Sequence, residues 1–168
     1  MIFDASTLIL LAKIEILTVV VKTTKIIIPE AVKEECLKKD SFDAQLIKAV
    51  IEENKIKVEK IIERKPIKQI CKDFKIEKGE AEALWLAKKH GNALAVDDGP
   101  TIKACKVINQ RFATAIHFLI EMVKEKKMDI LMAIAKLEKL SFYGRYSKRI
   151  IDDAYKRIKE EGSGNNKS

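Results

Sequence analysis

Five acidic side chains stand where they could hold a cation. Asp4 follows Met1-Ile2-Phe3, Glu35 lies beside an apolar helical face, Glu80 falls in Gly79-Glu80-Ala81, and Asp97-Asp98 follow Ala93-Leu94-Ala95-Val96. Hard divalent ions such as Mg²⁺ and Mn²⁺ take oxygen ligands, and Mg²⁺ keeps waters while held by one or two carboxylates and a substrate phosphate. Carboxylates gathered without partners repel one another and raise their pKa values, so a cluster of them needs a cation or a basic partner to stay ionised at neutral pH. Each acid also has an ordinary reading as a helix cap or solvated residue, and Asp98 before Gly99-Pro100 serves as an N-cap as readily as it ligates. Ser6 is equally divided between holding a metal-bound water or phosphate and capping a helix.

These acids would converge only if strands and helices delivered them to one edge. Met1 to Phe3 is a short apolar strand, followed by Ser6-Thr7 as the start of a helix over about Leu8 to Val21. Lys25-Ile26-Ile27-Ile28 is β-branched and runs into Pro29, whose fixed φ suits the first turn of the next helix, with Val32, Cys36 and Leu37 on one face. A helix opening at Ser41 or Asp43 extends to about Glu53, and the alternation in Lys55 to Glu59 reads as an edge strand. Pro66 marks a turn, with a short amphipathic helix around Ile67, Ile70, Cys71 and Phe74. Lys78 to His90 is helical and stops at Gly91, Ala93 to Val96 is a strand, Gly99-Pro100 opens a helix, and Arg111-Phe112-Ala113 is a last strand. Beyond Ala113 the apolar positions recur at helical spacing.

This alternation predicts an α/β/α layered domain with a mainly parallel sheet of four or five strands. Parallel sheets of this kind gather their carboxyl ends along one edge, where ligands bind. No Pro- or Ser-rich linker divides the chain, so one domain is expected over residues 1–161, with a core over 1–114, a helical extension over 115–161 and a flexible Gly/Ser/Asn-rich tail over 162–168.

With 168 residues and 47% apolar composition, the chain is long enough for one sizeable core. The net charge of +8 favours a polyanionic partner, although the abundance of Lys, Glu and Ile is also a habit of thermophilic sequences. Cys36, Cys71 and Cys105 are odd in number and far apart, which excludes a disulfide framework and suits a reducing cytoplasm. His90 and His117 stand alone, so zinc is not expected. No apolar run reaches the roughly 20 residues of a membrane span, and no leader is visible, so a soluble cytoplasmic protein without membrane contact is expected.

Four segments in order carry a resemblance over nearly the whole chain: Ile2-Phe3-Asp4-Ala5-Ser6, Ile28-Pro29-Glu30-Ala31-Val32-Lys33-Glu34-Glu35, Gly79-Glu80-Ala81-Glu82-Ala83 and Leu94-Ala95-Val96-Asp97-Asp98. In them the chain resembles the PIN-domain ribonucleases, the family that includes the VapC toxins of prokaryotic toxin–antitoxin pairs. The Gly79 to Ala83 segment and the helical C-terminal part are most similar to a stand-alone prokaryotic subgroup.

The resemblance implies a Mg²⁺- or Mn²⁺-dependent endoribonuclease with Asp4, Glu35, Glu80 and Asp97 as catalytic acids and metal ligands, and Asp98 as an alternative or additional ligand. The third acid is commonly aspartate in the toxins; here it is Glu80, preferred for its distance to Asp97, with Glu82 as the competitor. Two metals about 4 Å apart generate hydroxide and stabilise the leaving oxygen, so no His or Cys nucleophile is required. RNA is then the substrate, an antitoxin protein would offer an amphipathic helix and a basic side chain to the pocket, and the apolar C-terminal helices suit a homodimer. Lys103, Lys106 and Arg111 could touch the RNA backbone, but a solvated helix face is the better reading of each alone, and they are not counted among the site residues. A catalytically weak PIN-like module that binds RNA or protein is the alternative.

Overall fold

A computed structural model describes residues 1–163. The described residues form two compact units, Met1–Ala113 and Thr114–Ser163.

The first unit is built on five parallel strands, β1 (Ile2–Phe3), β2 (Ile26–Pro29), β3 (Ile56–Glu59), β4 (Leu94–Ala95) and β5 (Phe112–Ala113), in the spatial order β3-β2-β1-β4-β5. Register pairs Ile2 with Ile27, Phe3 with Ala95, Ile28 with Val58 and Leu94 with Phe112. Strands covered on both faces read as continuous apolar runs, and Ile2, Phe3, Ile28, Leu94 and Ala95 are fully buried. Ile56 to Glu59 lies at the sheet edge, as its alternation predicts.

Helices α1 (Ala5–Lys13), α2 (Leu17–Thr23), α3 (Glu30–Cys36) and α4 (Phe42–Glu52) connect the strands on the β3 side of β1. The chain then returns through α5 (Arg64–Phe74) and α6 (Lys78–His90) to β4, and α7 (Gly99–Val107) leads to β5. Right-handed crossovers taken in opposite directions place these two sets on opposite faces, giving the three-layer α/β/α arrangement. The direction of winding changes between β1 and β4, and the carboxyl ends at such a switch point are where sheets of this kind form their binding crevice.

Two local expectations fail for identifiable reasons. The helix expected over about Leu8 to Val21 is two helices, because Glu15 takes a left-handed conformation at φ 61°. The N–H of Ile16 donates to the carbonyl of Leu11 there, closing α1 without a Gly or Asn to announce it. Pro66 lies inside the first turn of α5 and does not mark a turn before it, since an early helical position needs no N–H donor.

The second unit contains α8 (Ala115–Lys124), α9 (Ile130–Tyr143) and α10 (Lys148–Ser163), each packed on the other two. Its buried positions, among them Leu119, Val123, Ala133, Leu137, Leu140, Ala154 and Ile158, follow the helical spacing of the sequence. Helix α10 runs through Gly162 and Ser163 of the expected tail; positions 164–168 lie outside the described residues.

Candidate metal centre

Asp4 ends β1 and caps α1, and it is 1% exposed. Its Oδ2 accepts hydrogen bonds from the Ser6 hydroxyl at 2.7 Å and the Ser6 N–H at 3.3 Å. Its Oδ1 is buried and has no hydrogen-bond partner. A buried acceptor in that condition costs roughly 1–3 kcal/mol, more when charged. Burial first, with Asp98 adding a smaller like-charge push, holds the Asp4 pKa above the usual carboxylate value despite the Ser6 hydrogen bonds.

Asp97 follows β4 across the crevice. Its Oδ2 accepts from the Thr7 hydroxyl at 2.7 Å, and its N–H donates to the Ser6 oxygen at 3.0 Å. The Ser6 hydroxyl therefore donates to one strand-end acid and accepts from the backbone of the other, which locks the two loops together. Asp4, not Ser6, is the residue that caps α1. Thr7, fully buried, gives no sequence signal beyond being polar next to a candidate acid.

Asp98 caps α7. Its Oδ2 takes the Thr101 N–H at 2.9 Å and the Thr101 hydroxyl at 2.8 Å. The cap role is thus occupied, while the carboxylate stays close enough to raise the pKa values of Asp4, Glu35 and Glu80.

Glu35, near the end of α3, is raised by burial and then by Asp4, Glu77 and Asp98. Its Oε2 lies 3.1 Å from where a Cβ on Gly79 would stand. The missing side chain at position 79 is what lets the α3 carboxylate rest on the first turn of α6. Glu80 sits one residue further and its Oε2 accepts the Glu77 N–H at 2.8 Å, the reach-back half of a capping box. Burial and the charges of Asp98, Asp4 and Glu35 push it up to about 7.

Glu82 goes elsewhere. It is 5% exposed, pairs with Lys78 at 3.6 Å, and feels Lys78, the nearby Ala31 N–H and Glu34 rather than the strand-end acids. It lines a cleft of about 790 Å³ with Lys60, Arg64 and Cys71. Helix phase thus brings Glu80 to Asp4, Glu35 and Asp98 and sends Glu82 to the other side of α3. Glu77 joins the acidic group although its position at the α6 cap carries no sequence signal of its own.

A second cleft, of about 760 Å³, runs past Glu35, Glu77 and Gly79 with Lys13, Lys38, Lys39 and Lys78 on its walls. Lysines there would meet phosphates close to the acids. Arg111 donates to the Gly91 carbonyl at 3.1 Å, a structural bond outside this cleft.

The donor set fits a hard divalent ion, because every group is a carboxylate, one oxygen is buried without a partner, and the acids lift one another's pKa values. Among the described residues, no three His, Cys, Asp or Glu side chains already stand in a ligand arrangement, so the acids would have to turn inward to share an ion. The thiols are remote from such chemistry: burial raises Cys36 and Cys71, and pushes Cys105 up to about 11. His90 pairs with Glu59 at 3.2 Å, and His117 packs edge-on against Phe118. No described helix is long and apolar enough to cross a membrane.

Compared with known families, residues 1–160 match the family model DUF3368, described as a PIN domain. No curated protein and no solved structure matches the chain.

Proposed function

We propose, from the premise that this chain belongs to the PIN-domain family, that it is a metal-dependent endoribonuclease whose acids are Asp4, Glu35, Glu80 and Asp97, with Asp98 assisting. PIN domains are in general nucleases, so phosphodiester hydrolysis is the class of reaction, and RNA as its target is the finer step. The observation that carries the reading is the buried, unpartnered Oδ1 of Asp4 among three other acids at the β1–β4 switch point.

When bound, Mg²⁺ or Mn²⁺ supplies an activated water and charge stabilisation for the leaving oxygen. The chain's own residues do the positioning. Asp4 offers Oδ1 while Ser6 holds its Oδ2, and Thr7 fixes one oxygen of Asp97. Such outer partners typically change metal affinity 10–100-fold when lost. Glu35 and Glu80 would add their carboxylates to those of Asp4 and Asp97, and Lys13, Lys38 and Lys39 are suited to hold the phosphate backbone along the adjoining cleft.

Cleavage of labelled RNA with Mn²⁺ or Mg²⁺, abolished by EDTA and by Asp4→Asn, is the expected result. Equal cleavage by wild type and Asp4→Asn would remove the assignment. A second reading, a PIN-like RNA-binding or protein-interaction module, draws on the lack of a ready three-acid ligand group among the described residues. It predicts metal-independent gel shifts that weaken with salt and give no product. A toxin role requires in addition an antitoxin partner, to be tested by co-expression rescue of growth, and homodimerisation is tested by sedimentation.

A further inference from the structure

The junction between α9 and α10 gathers charge and aromatic surface that the acidic centre does not use. Residues 136–149 hold Lys136, Lys139, Arg145, Lys148 and Arg149 against Glu138 alone, whereas positive and negative residues balance over the rest of 114–168. Within the same stretch, Phe142, Tyr143 and Tyr146 are three of the chain's ten aromatic residues. Phe142 is 82% exposed and Tyr143 46% exposed, their rings edge-to-face with centroids 5.1 Å apart. Phe142 thus leaves a large apolar ring in water.

The cations are also misplaced for helix stability. Lys148 and Arg149 begin α10, whose first turn has no acidic residue, so they oppose the positive end of the helix dipole. The backbone that presents them is constrained. A Cβ on Gly144 would lie 2.4 Å from the Tyr146 ring and 2.9 Å from the Leu140 carbonyl, so the turn is closed over a glycine. Ser147 caps the following helix, its hydroxyl oxygen accepting from the Ile150 N–H at 3.4 Å. An exposed flat ring a few residues along the chain from exposed cations matches what an unpaired nucleic-acid strand requires: a base stacks on the ring and its phosphates meet the cations.

We propose that the α9–α10 junction binds single-stranded RNA, with Phe142, held edge-to-face by Tyr143, as a base-stacking surface and Arg145, Lys148 and Arg149 as phosphate contacts. The assignment does not depend on cleavage. It extends the ribonuclease reading by giving the substrate a holding site outside the acidic centre.

The test is fluorescence anisotropy of a labelled 12-nucleotide oligouridine with the full chain in EDTA, titrated with salt. Phe142→Leu keeps apolar surface but removes the flat ring, and should weaken binding about tenfold, while Phe142→Trp retains or improves it. Replacing Arg145, Lys148 and Arg149 by Gln should lower the slope of log affinity against log salt by about 2. Unchanged melting confirms that the exposed positions leave the fold intact. Wild-type affinity in Phe142→Leu, or an unchanged salt slope in the triple variant, overturns the proposal. So does a change of sedimentation state in Phe142→Leu at unaltered RNA affinity, which would assign the face to a second copy of the chain. Loss of cleavage in Asp4→Asn with intact RNA binding in Phe142→Leu would leave the nuclease standing and remove only this site.

Discussion

The acidic crevice and the α9–α10 junction are opposite solutions to presenting charge. At the crevice, Asp4, Glu35, Glu80 and Asp97 come from positions spread across the first unit, and Asp4 is buried to 1% exposure. At the junction, Arg145, Lys148 and Arg149 are near neighbours in sequence and exposed. Buried like charges raise one another's pKa values and need an ion or a proton. Exposed cations remain charged unaided and act through counterion release. The first arrangement depends on the fold to exist, while the second depends on it only for the turn at Gly144.

The largest effect separating the two regions is expected from Asp4→Asn. It should reduce RNA cleavage by at least about 100-fold, the scale of losing one group that acts on developing charge, while metal-free RNA affinity at the junction stays within twofold, read by single-turnover cleavage beside anisotropy. Thr7→Val comes next. It keeps shape but leaves Asp97 Oδ2 without its 2.7 Å donor, so metal affinity should fall about tenfold, measured by calorimetry with Mn²⁺.

Gly79→Ala should be smaller and more telling. The new methyl meets the Glu35 carboxylate at 3.1 Å, and that carboxylate is the end of a flexible side chain, so it yields by a few tenths of an ångström. Metal affinity should drop about threefold, within the outer-sphere range, while melting temperature holds or rises, because Ala is the better helix former by up to about 1 kcal/mol. A fall in melting temperature without loss of metal affinity would show that Gly79 serves packing alone.

Glu80 gives the pH test. Its carboxyl is raised to about 7 in the fold from an unfolded value of 4.5. An acid with a raised folded pKa contributes stability that is full below the unfolded value and lost as pH rises through the folded one. Metal-free Glu80→Gln should therefore melt like wild type near pH 4.5 and about 2–4 °C higher at pH 8, the shift being limited by water at a half-exposed group. Mn²⁺ should reverse that ranking. Glu82→Gln is the smallest effect: it keeps the side chain's shape and a polar acceptor and lies in the other cleft, so cleavage should change by less than about twofold.

The order of elements was legible in the residues. The β-branched run at Ile26-Ile27-Ile28, the Gly91 cap and the Gly99-Pro100 helix start all act locally, so propensity and periodicity report them. The break at Glu15 was not legible, since a glutamate in left-handed conformation is imposed by how α1 and α2 pack and not by its own preference. Pro66 misled for a related reason, because proline inside a first turn and proline ending a helix look alike without knowing where the helix begins.

Sequence by itself determined the alternation of strands and helices, the family, and the candidate acids at element ends. It also contained the concentration of cations and rings over 136–149, because that cluster is contiguous. Only tertiary structure sent Glu82 to the Lys78 side while Glu80 faced the strand-end acids, engaged Ser6 with both strand-end loops, recruited Thr7 and Gly79, and left Asp4 Oδ1 without a partner. Those outcomes depend on helix phase and on distances of a few ångströms between residues up to 91 positions apart. Local preferences carry no information at that range, so it is set when the sheet registers and the helices pack.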